Sequence, residues 1–347
     1  MFAKSKIVTA VVALVAVHLL VHALRRQSRP KVVRPADERV VILGASTLDG
    51  LGANFLQQYL ERGTRRIMIV GRRQEALEEV RRAMLEATKG KRAPDAEVLV
   101  VAAQLTQSRD VIALREKIMR VWGGLDTLHV VFGVTSILPI LGLANVDPCD
   151  VNANGSATNA LHPTQEGLDS IGATVDQSNE GNLKGTAIVL AALIPVLQTT
   201  SKHPAVIAIG SVAGLIPAPT RAVYCATKSS QHFLVRSMDL ECESQAGTIV
   251  PGTNQRRARV RFLLVAPGPI RNSFVAKYAV DANTGPRDNR DKALEVSYVV
   301  RKTLSRVDAC QWGMMVLPHY VFVASLLAQL DTTRALTGRA AHRLYHY

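Results

Sequence analysis

The chain has 347 residues, 48% of them apolar and 20% charged, a balance that excludes intrinsic disorder and allows one large core with appendages. The formal net charge is +14 but aromatic residues are only 5%. The basic residues are scattered with no basic-helix or zinc-finger pattern, so no nucleic acid partner is expected. The four cysteines, Cys149, Cys225, Cys242 and Cys310, form no CxxC pair; no metal site is expected, and they read as reduced thiols.

Residues 1–25 stand apart. Ile7 to Leu24 is an 18-residue run without a formal charge, which as a helix reaches roughly 27 Å, near the hydrocarbon thickness of a bilayer. A cleaved signal peptide is the rival, but "VHALRR" offers a poor cleavage site and the basic cluster follows the apolar run. A single-pass signal anchor is therefore expected. Arg25, Arg26, Arg29, Lys31 and Arg34 lie downstream and only Lys4 and Lys6 upstream, which places the main domain in the cytosol. An endoplasmic reticulum membrane is the expected location. His18 and His22 share a helix face but read as neutral packing residues. The sequon at Asn154 would matter only for a lumenal domain.

Residues 26–38 read as a polar, proline-containing linker. From there strands and helices alternate. "RVVILG", "RRIMIVG", "AEVLVVAA", "LHVVFGV", "AVIAIGS" and "VRFLLVAPG" read as buried strands, and "WGMMVLP" as a seventh. Helical periodicity covers Leu51–Arg62, Gln74–Thr88, Ser108–Trp122, Leu183–Thr199, Ala222–Ser244 and Lys292–Arg306. This order predicts an α/β fold: a Rossmann-like, doubly wound parallel sheet of about seven strands in a three-layer sandwich over residues 39–320. A ligand is expected at the carboxyl ends of the strands. Residues 147–181, rich in Asn, Ser, Thr and Gly, read as a long loop insertion. Residues 321–347 form an apolar and basic tail, a packed helix or a bilayer-surface segment.

Three stretches carry chemistry. "GASTLDGLG", Gly44 to Gly52, follows a strand and opens a helix, the context of a phosphate cradle. The second strand ends in Gly71, Arg72 and Arg73. Arginine there suits a ribose 2′-phosphate, hence NADP(H) before NAD(H). "YCATK" puts Tyr224 and Lys228 on one helix face. A nearby ammonium favours phenolate, so Tyr224 becomes a useful acid or base. Ser211, thirteen residues earlier, ends a strand and could hold a substrate oxygen beside the phenol.

On these residues the chain, from about Arg39 to Leu317, resembles a membrane-anchored short-chain dehydrogenase/reductase of the NADP(H) type. The resemblance implies Tyr224 as general acid/base, Ser211 orienting the substrate oxygen, and Lys228 binding the nicotinamide ribose and tuning Tyr224. It also implies Asn182, in "NLKG", as holder of a relay water. The cofactor would lie on Gly44, Ser46, Gly50, Leu51, Gly52, Arg72, Arg73, Gln104, Gly133, Tyr224, Lys228, Pro267, Gly268 and Ile270. NAD(H) stays open should Arg72 point away from the ribose.

Some positions depart from the family pattern. Five residues, not three, separate Gly44 from Gly50; counting back from Gly63 puts the two extra residues within Ser46 to Asp49. Asp49 brings negative charge toward the pyrophosphate. "VVFG" stands where the family has Asn-Asn-Ala-Gly, so Phe132 could crowd the adenosine side. Gln104 replaces an acidic residue and Asn272 a threonine. The expected function is reduction of a ketone, or oxidation of a secondary alcohol, on a lipophilic substrate such as a steroid, retinoid, sphingoid or fatty-acyl compound. The alternative is a catalytically idle member that binds nucleotide or lipid at the membrane. Family likeness also implies a homodimer through the Asn182 and Tyr224 helices.

Overall fold

The strands form because short runs of β-branched and aliphatic residues are bounded by turn residues, and all but the edge strand Glu97–Ala102 are buried on both faces. A computed structural model of the protein describes residues 28–147, 161–281 and 293–327. Its strands are β1 (Arg39–Leu43), β2 (Arg66–Gly71), β3 (Glu97–Ala102), β4 (Thr127–Val130), β5 (Ala205–Ile209), β6 (Arg261–Pro267) and β7 (Gly313–Leu317). They make one sheet in the order β3-β2-β1-β4-β5-β6-β7, parallel throughout. Successive side chains alternate between two cores. Val40 and Ile42 face one cluster, Val41 and Leu43 the other.

The first core is covered by α1 (Leu51–Glu61), α2 (Gln74–Ala87) and α8 (Val296–Asp308), through Phe55, Leu77 and Val299. The second is covered by α3 (Ser108–Trp122), α5 (Gly185–Thr200) and α6 (Ala222–Gln245), through Leu114, Leu193 and Val235. Strand order reverses at β1 and β4, which opens a crevice at their carboxyl ends.

Two expectations from sequence give way. Residues 164–181 are not loop: α4 (Gln165–Asn179) is helical, its Thr164 hydroxyl accepting from Gly167 N at 3.2 Å. It runs through a π-helical turn, Glu180–Lys184, into α5. Its buried residues are Gly167, Thr174 and Ser178, so small residues carry its packing and no apolar stripe announces it. Leu168, its obvious hydrophobe, is exposed. By length and composition the continuous stretch Gln165–Thr200 could cross a membrane, but half of its most apolar window is buried inside the protein.

Residues 28–38 are likewise more than a linker. Arg29 is 2% exposed and its guanidinium donates to Glu38 (2.5 Å), Thr127 Oγ1 (2.6 Å) and the carbonyls of Asp126 and His203. Burial alone would pull its pKa down; the Glu38 carboxylate reverses that, and the guanidinium stays charged. The segment is thereby pinned to the amino-terminal ends of β4 and β5, opposite the crevice. The expected anchor with His18 and His22, Cys149, Asn154 and the tail beyond residue 327 lie outside the described residues.

Candidate active site

The glycine loop is built by close approach. Gly44 has φ +98, and a Cβ there would lie 2.5 Å from Phe132 N. A Cβ on Gly52 would lie 2.4 Å from the Gly44 carbonyl oxygen, so Gly52 lets α1 pack against the end of β1. Gly44, Ser46, Gly50 and Leu51 line a cavity of ≈ 590 Å³ at the carboxyl ends of the strands; Gly52 lies behind it, as packing. The amino terminus of α1 opens onto the same space.

The inserted residues turn outward. The Asp49 carboxylate accepts from Ser273 N (2.6 Å) and Ser273 Oγ (2.8 Å), and Asp49 is not among the cavity-lining residues. Its charge is therefore spent on the segment after β6 rather than directed at a phosphate. Thr47 Oγ1 meets Tyr278 OH at 2.7 Å. Tyr278 ends α7 (Phe274–Tyr278), and the chain beyond it pairs with the segment after β4. Thr135 N donates to Tyr278 O and Val280 N to Thr135 O. Asp281 then accepts from Ser136 Oγ and from the Ile137 and Leu138 amides. Residues 273–281 thus form a strap across the cavity, latched at both ends. Burial would push the Tyr278 phenol up, but its hydrogen bonds to Thr47 and Ser46 and the Arg73 charge bring it below the ordinary value.

The two arginines separate. Arg73 donates to Ser46 O (3.0 Å) and Tyr278 OH (3.2 Å). Arg72 lines the cavity, is exposed, and makes no hydrogen bond or ion pair with the described residues. Gln104 also lines it, its amide donating to Thr106 Oγ1 and its backbone N–H to Asp110. Phe132 lines the cavity too, but its ring edge reaches α5: a Cβ on Gly185 would be 2.9 Å from it. Gly185 is thus the residue that makes room for Phe132, a pairing across 53 positions with no local signal. Pro267, Gly268, Ile270 and Asn272, which end or follow β6, line the cavity as well.

Ser211, Tyr224 and Lys228 come together on the same cavity. Ser211 is extended at the tip of β5 and its Oγ accepts from Ala213 N at 3.1 Å, which leaves the hydroxyl proton to donate. Lys228 is 3% exposed, its Nζ 6.0 Å from the centre of the Tyr224 ring. Burial brings its pKa down to about 8. Nζ donates to Gln231 Oε1 (2.9 Å) and Ile209 O (3.4 Å).

Asn182 is fully buried in the π-helical turn, and both N–H donors of its side chain are used within the protein. Oδ1 accepts from Val134 N, while Nδ2 donates to Val134 O and Thr227 Oγ1. It pins the end of β4 to α6. A Cβ on Gly133 would fall 2.7 Å from Asn182 Oδ1 and 3.3 Å from Lys228 Nζ, so glycine is required between them. A direct chain joins the two residues: Lys228 to Gln231, Gln231 Nε2 to Thr186 Oγ1 (3.0 Å), and Thr186 Oγ1 to Asn182 O (2.7 Å). Gln231 and Thr186 escaped sequence reasoning; Gln231, three residues from Lys228 on a helix, could have been found by that spacing.

Comparison with known proteins agrees with this architecture. No curated protein matches the sequence. Among solved structures, a short chain dehydrogenase/reductase from Burkholderia phymatum in complex with NAD is similar, with a TM-score of 0.62 and 15% identity, covering 88% of this chain and 96% of that one. A short chain dehydrogenase from Burkholderia cenocepacia J2315 in complex with NADP gives 0.57 and 19%, covering 86% and 95%. An alcohol dehydrogenase from the archaeon Thermococcus sibiricus, complexed with 5-hydroxy-NADP, gives 0.57 and 16%, covering 81% and 95%. At these identities the likeness establishes the fold. The family model described as short chain dehydrogenase matches residues 38–281, and this match over most of the chain shows that the protein belongs to the short-chain dehydrogenase family.

Proposed function

We propose that the protein is an NADP(H)-dependent oxidoreductase held at a membrane surface, reducing a ketone or oxidising a secondary alcohol of a lipophilic substrate. The observation that carries this reading is the convergence of Ser211, Tyr224 and Lys228 on the cavity that the glycine loop opens. The residues present suit a nicotinamide dinucleotide. Gly44, Ser46, Gly50 and Leu51 line the cavity where a helix amino terminus opens onto it, and such a loop would hold a pyrophosphate. Similar structures carry NAD in one case and NADP in another, which supports the cofactor class. Arg72, with its hydrogen-bonding capacity open toward the cavity, supports NADP(H).

The bound cofactor supplies or accepts the hydride. Tyr224 gives a proton to the substrate oxygen in reduction, or takes it in oxidation. Ser211 donates its hydroxyl proton to the same oxygen and holds it near the phenol. Lys228, kept in place by Gln231 and Ile209 O, puts positive charge 6.0 Å from the centre of the Tyr224 ring and would bind the nicotinamide ribose. Asn182 holds the Val134 backbone through both of its amide atoms and so fixes the segment beside Lys228.

Val134, Val212, Phe274, Val275 and Val280 line the cavity, and such walls favour an apolar substrate body. The apolar run Ile7–Leu24 supports delivery from a bilayer, with the domain on the cytosolic side. The test is NADPH oxidation with a panel of lipophilic ketones in detergent, alongside fluorescence titration of NADPH. Turnover that disappears in Tyr224→Phe while NADPH still binds is the expected result. A protein that binds no NADPH at millimolar concentration would refute the reading and favour an idle, interaction-only member of the family.

A further inference from the structure

We infer that His232 is a positioning residue for Ser211, holding the serine backbone at the strand tip so that its hydroxyl meets the substrate oxygen. The inference rests on the oxidoreductase reading above for the role of that hydroxyl, but its geometry stands apart from it. The β5–β6 ladder ends with Gly210, whose N–H donates to Val265 O at 2.7 Å. Ser211, the next residue, has left the ladder, and a buried N–H without an acceptor is costly. The imidazole of His232 supplies that acceptor: Ser211 N donates to His232 Nε2 at 3.2 Å.

The space for the ring is made by two glycines. A Cβ on Gly210 would sit 2.1 Å from His232 Nε2, and one on Gly214 would sit 2.6 Å from His232 Cε1. The ring therefore lies directly behind "GSVAG", and no larger residue fits at either end of that segment. Ser211 is then held at three points: its N–H by His232, its Oγ by Ala213 N, and its carbonyl by Gly214 N at 3.0 Å.

His232 is 2% exposed, and its Nδ1 has no hydrogen-bond partner. An acceptor at Nε2 requires the neutral ring with its proton on Nδ1. Burial, with the Lys228 and Arg236 charges, lowers its pKa to about 4, which keeps the ring neutral. A ring chosen only to fill space would bury no unpartnered N–H; an aliphatic or phenyl side chain would do that better. Tyr224, Lys228 and His232 are spaced i, i+4, i+8 on α6. One helix face thus serves the proton, the ribose and the serine in turn.

The test uses the full chain in detergent with two readouts. His232→Phe keeps a ring but removes the acceptor. Amide hydrogen exchange at Ser211 should quicken at least about tenfold, and kcat on the best ketone should fall about ten- to a hundredfold. The NADPH Kd should stay within about twofold, because the glycine loop is untouched. His232→Gln, which retains an acceptor, should recover part of kcat. Should His232→Phe not fold, ¹⁵N NMR of the wild-type imidazole decides: a proton on Nε2 would overturn the inference. Unchanged Ser211 exchange in a folded His232→Phe would overturn it too, as would NADPH affinity falling in step with kcat. A wild-type protein that reduces no ketone would sink the oxidoreductase reading alone; the exchange and NMR results would still decide whether His232 holds Ser211.

Discussion

Thr47 Oγ1 and Tyr278 OH lie 2.7 Å apart, joining the glycine loop to the strap that follows β6. Thr47 belongs to the stretch that lengthens the family's loop, so the extra residues make a latch. The adjoining Asp49–Ser273 contact is its charged half. Thr47, Tyr278 and Ser273 are half-buried and Asp49 is exposed, and each contact is worth about 1 kcal/mol. Asp49→Ala should therefore weaken NADPH binding roughly fivefold with kcat nearly unchanged. Fluorescence titration checks it; an unaltered Kd would show that the latch does not bear on the cofactor.

Arg72 and Arg73 should behave differently although they are neighbours. Arg72 projects at the cavity with no protein partner among the described residues, whereas Arg73 holds Ser46 O and Tyr278 OH. Arg72→Ala should reduce the preference for NADPH over NADH about tenfold or more, since a charge-assisted phosphate contact is lost. Arg73→Ala should weaken both coenzymes alike by loosening the loop and strap. Kd values for the two coenzymes in each variant separate these effects, and identical behaviour of the two variants would contradict the assignment.

Tyr224→Phe removes only the phenol oxygen. Turnover should fall at least about a hundredfold, the usual weight of a general acid or base. Ser211→Ala should cost less, and neither should alter NADPH affinity by more than a few-fold. Steady-state rates beside binding titrations make the comparison. Wild-type kcat in Tyr224→Phe would rule out the phenol as proton donor.

At the opposite end of the sheet, Arg29 and Glu38 form a buried pair joined to Thr127. Arg29→Met leaves the Glu38 carboxylate buried without its cation, a cost of about 3 kcal/mol or more. The melting temperature should fall by roughly 6 °C or more. Arg29→Met combined with Glu38→Gln should recover much of that loss, and NADPH affinity should not change. Thermal unfolding of the three proteins would show whether residues 28–38 are part of the fold; an unshifted Arg29→Met would mean they are not.

Stability should decline on acidification because of buried histidines. His129 is fully buried against Phe55, with Nε2 2.9 Å from Tyr59 OH, and burial lowers its pKa to about 3. In the unfolded chain it titrates near the ordinary value of about 6.5. Between those values the unfolded state binds a proton that the folded state refuses, so stability is complete above about pH 6.5 and drains away as the pH falls toward 3. The slope approaches about 1.4 kcal/mol per pH unit for each such histidine. Denaturant midpoints from pH 7 to pH 4 measure it, and His129→Gln should flatten the profile. A profile equally steep in that variant would assign the acid loss elsewhere.

The seven strands were legible because each is a short aliphatic run closed by Gly, Pro or a charged residue. A strand buried on both faces needs no partner information to be recognised. Ser211 and the Tyr224–Lys228 spacing were legible for a similar reason, since one strand tip and one helical turn bring the groups together locally. What escaped depends on distant pairing. The helix Gln165–Asn179 packs through Gly167, Thr174 and Ser178, so its periodicity is carried by small residues that also suit loops. The burial of Arg29 is decided by Glu38, Thr127 and the carbonyl of His203, 174 positions away.

The sequence by itself determined the seven strands, the long helices around them other than Gln165–Asn179, the glycine loop, and the Ser211, Tyr224 and Lys228 pattern, because these follow from local periodicity and spacing. Only the tertiary structure decided where the inserted loop residues go. Asp49 looked like a charge aimed at a phosphate, yet it meets Ser273, 224 residues away. The same holds for His232, which as one histidine on a long helix carries no signal of its own. It gains meaning only when the sheet brings Gly210 and Gly214 around its ring. Hydrogen bonds and close contacts between segments far apart in sequence depend on the packed sheet that aligns them, and no local pattern encodes that alignment.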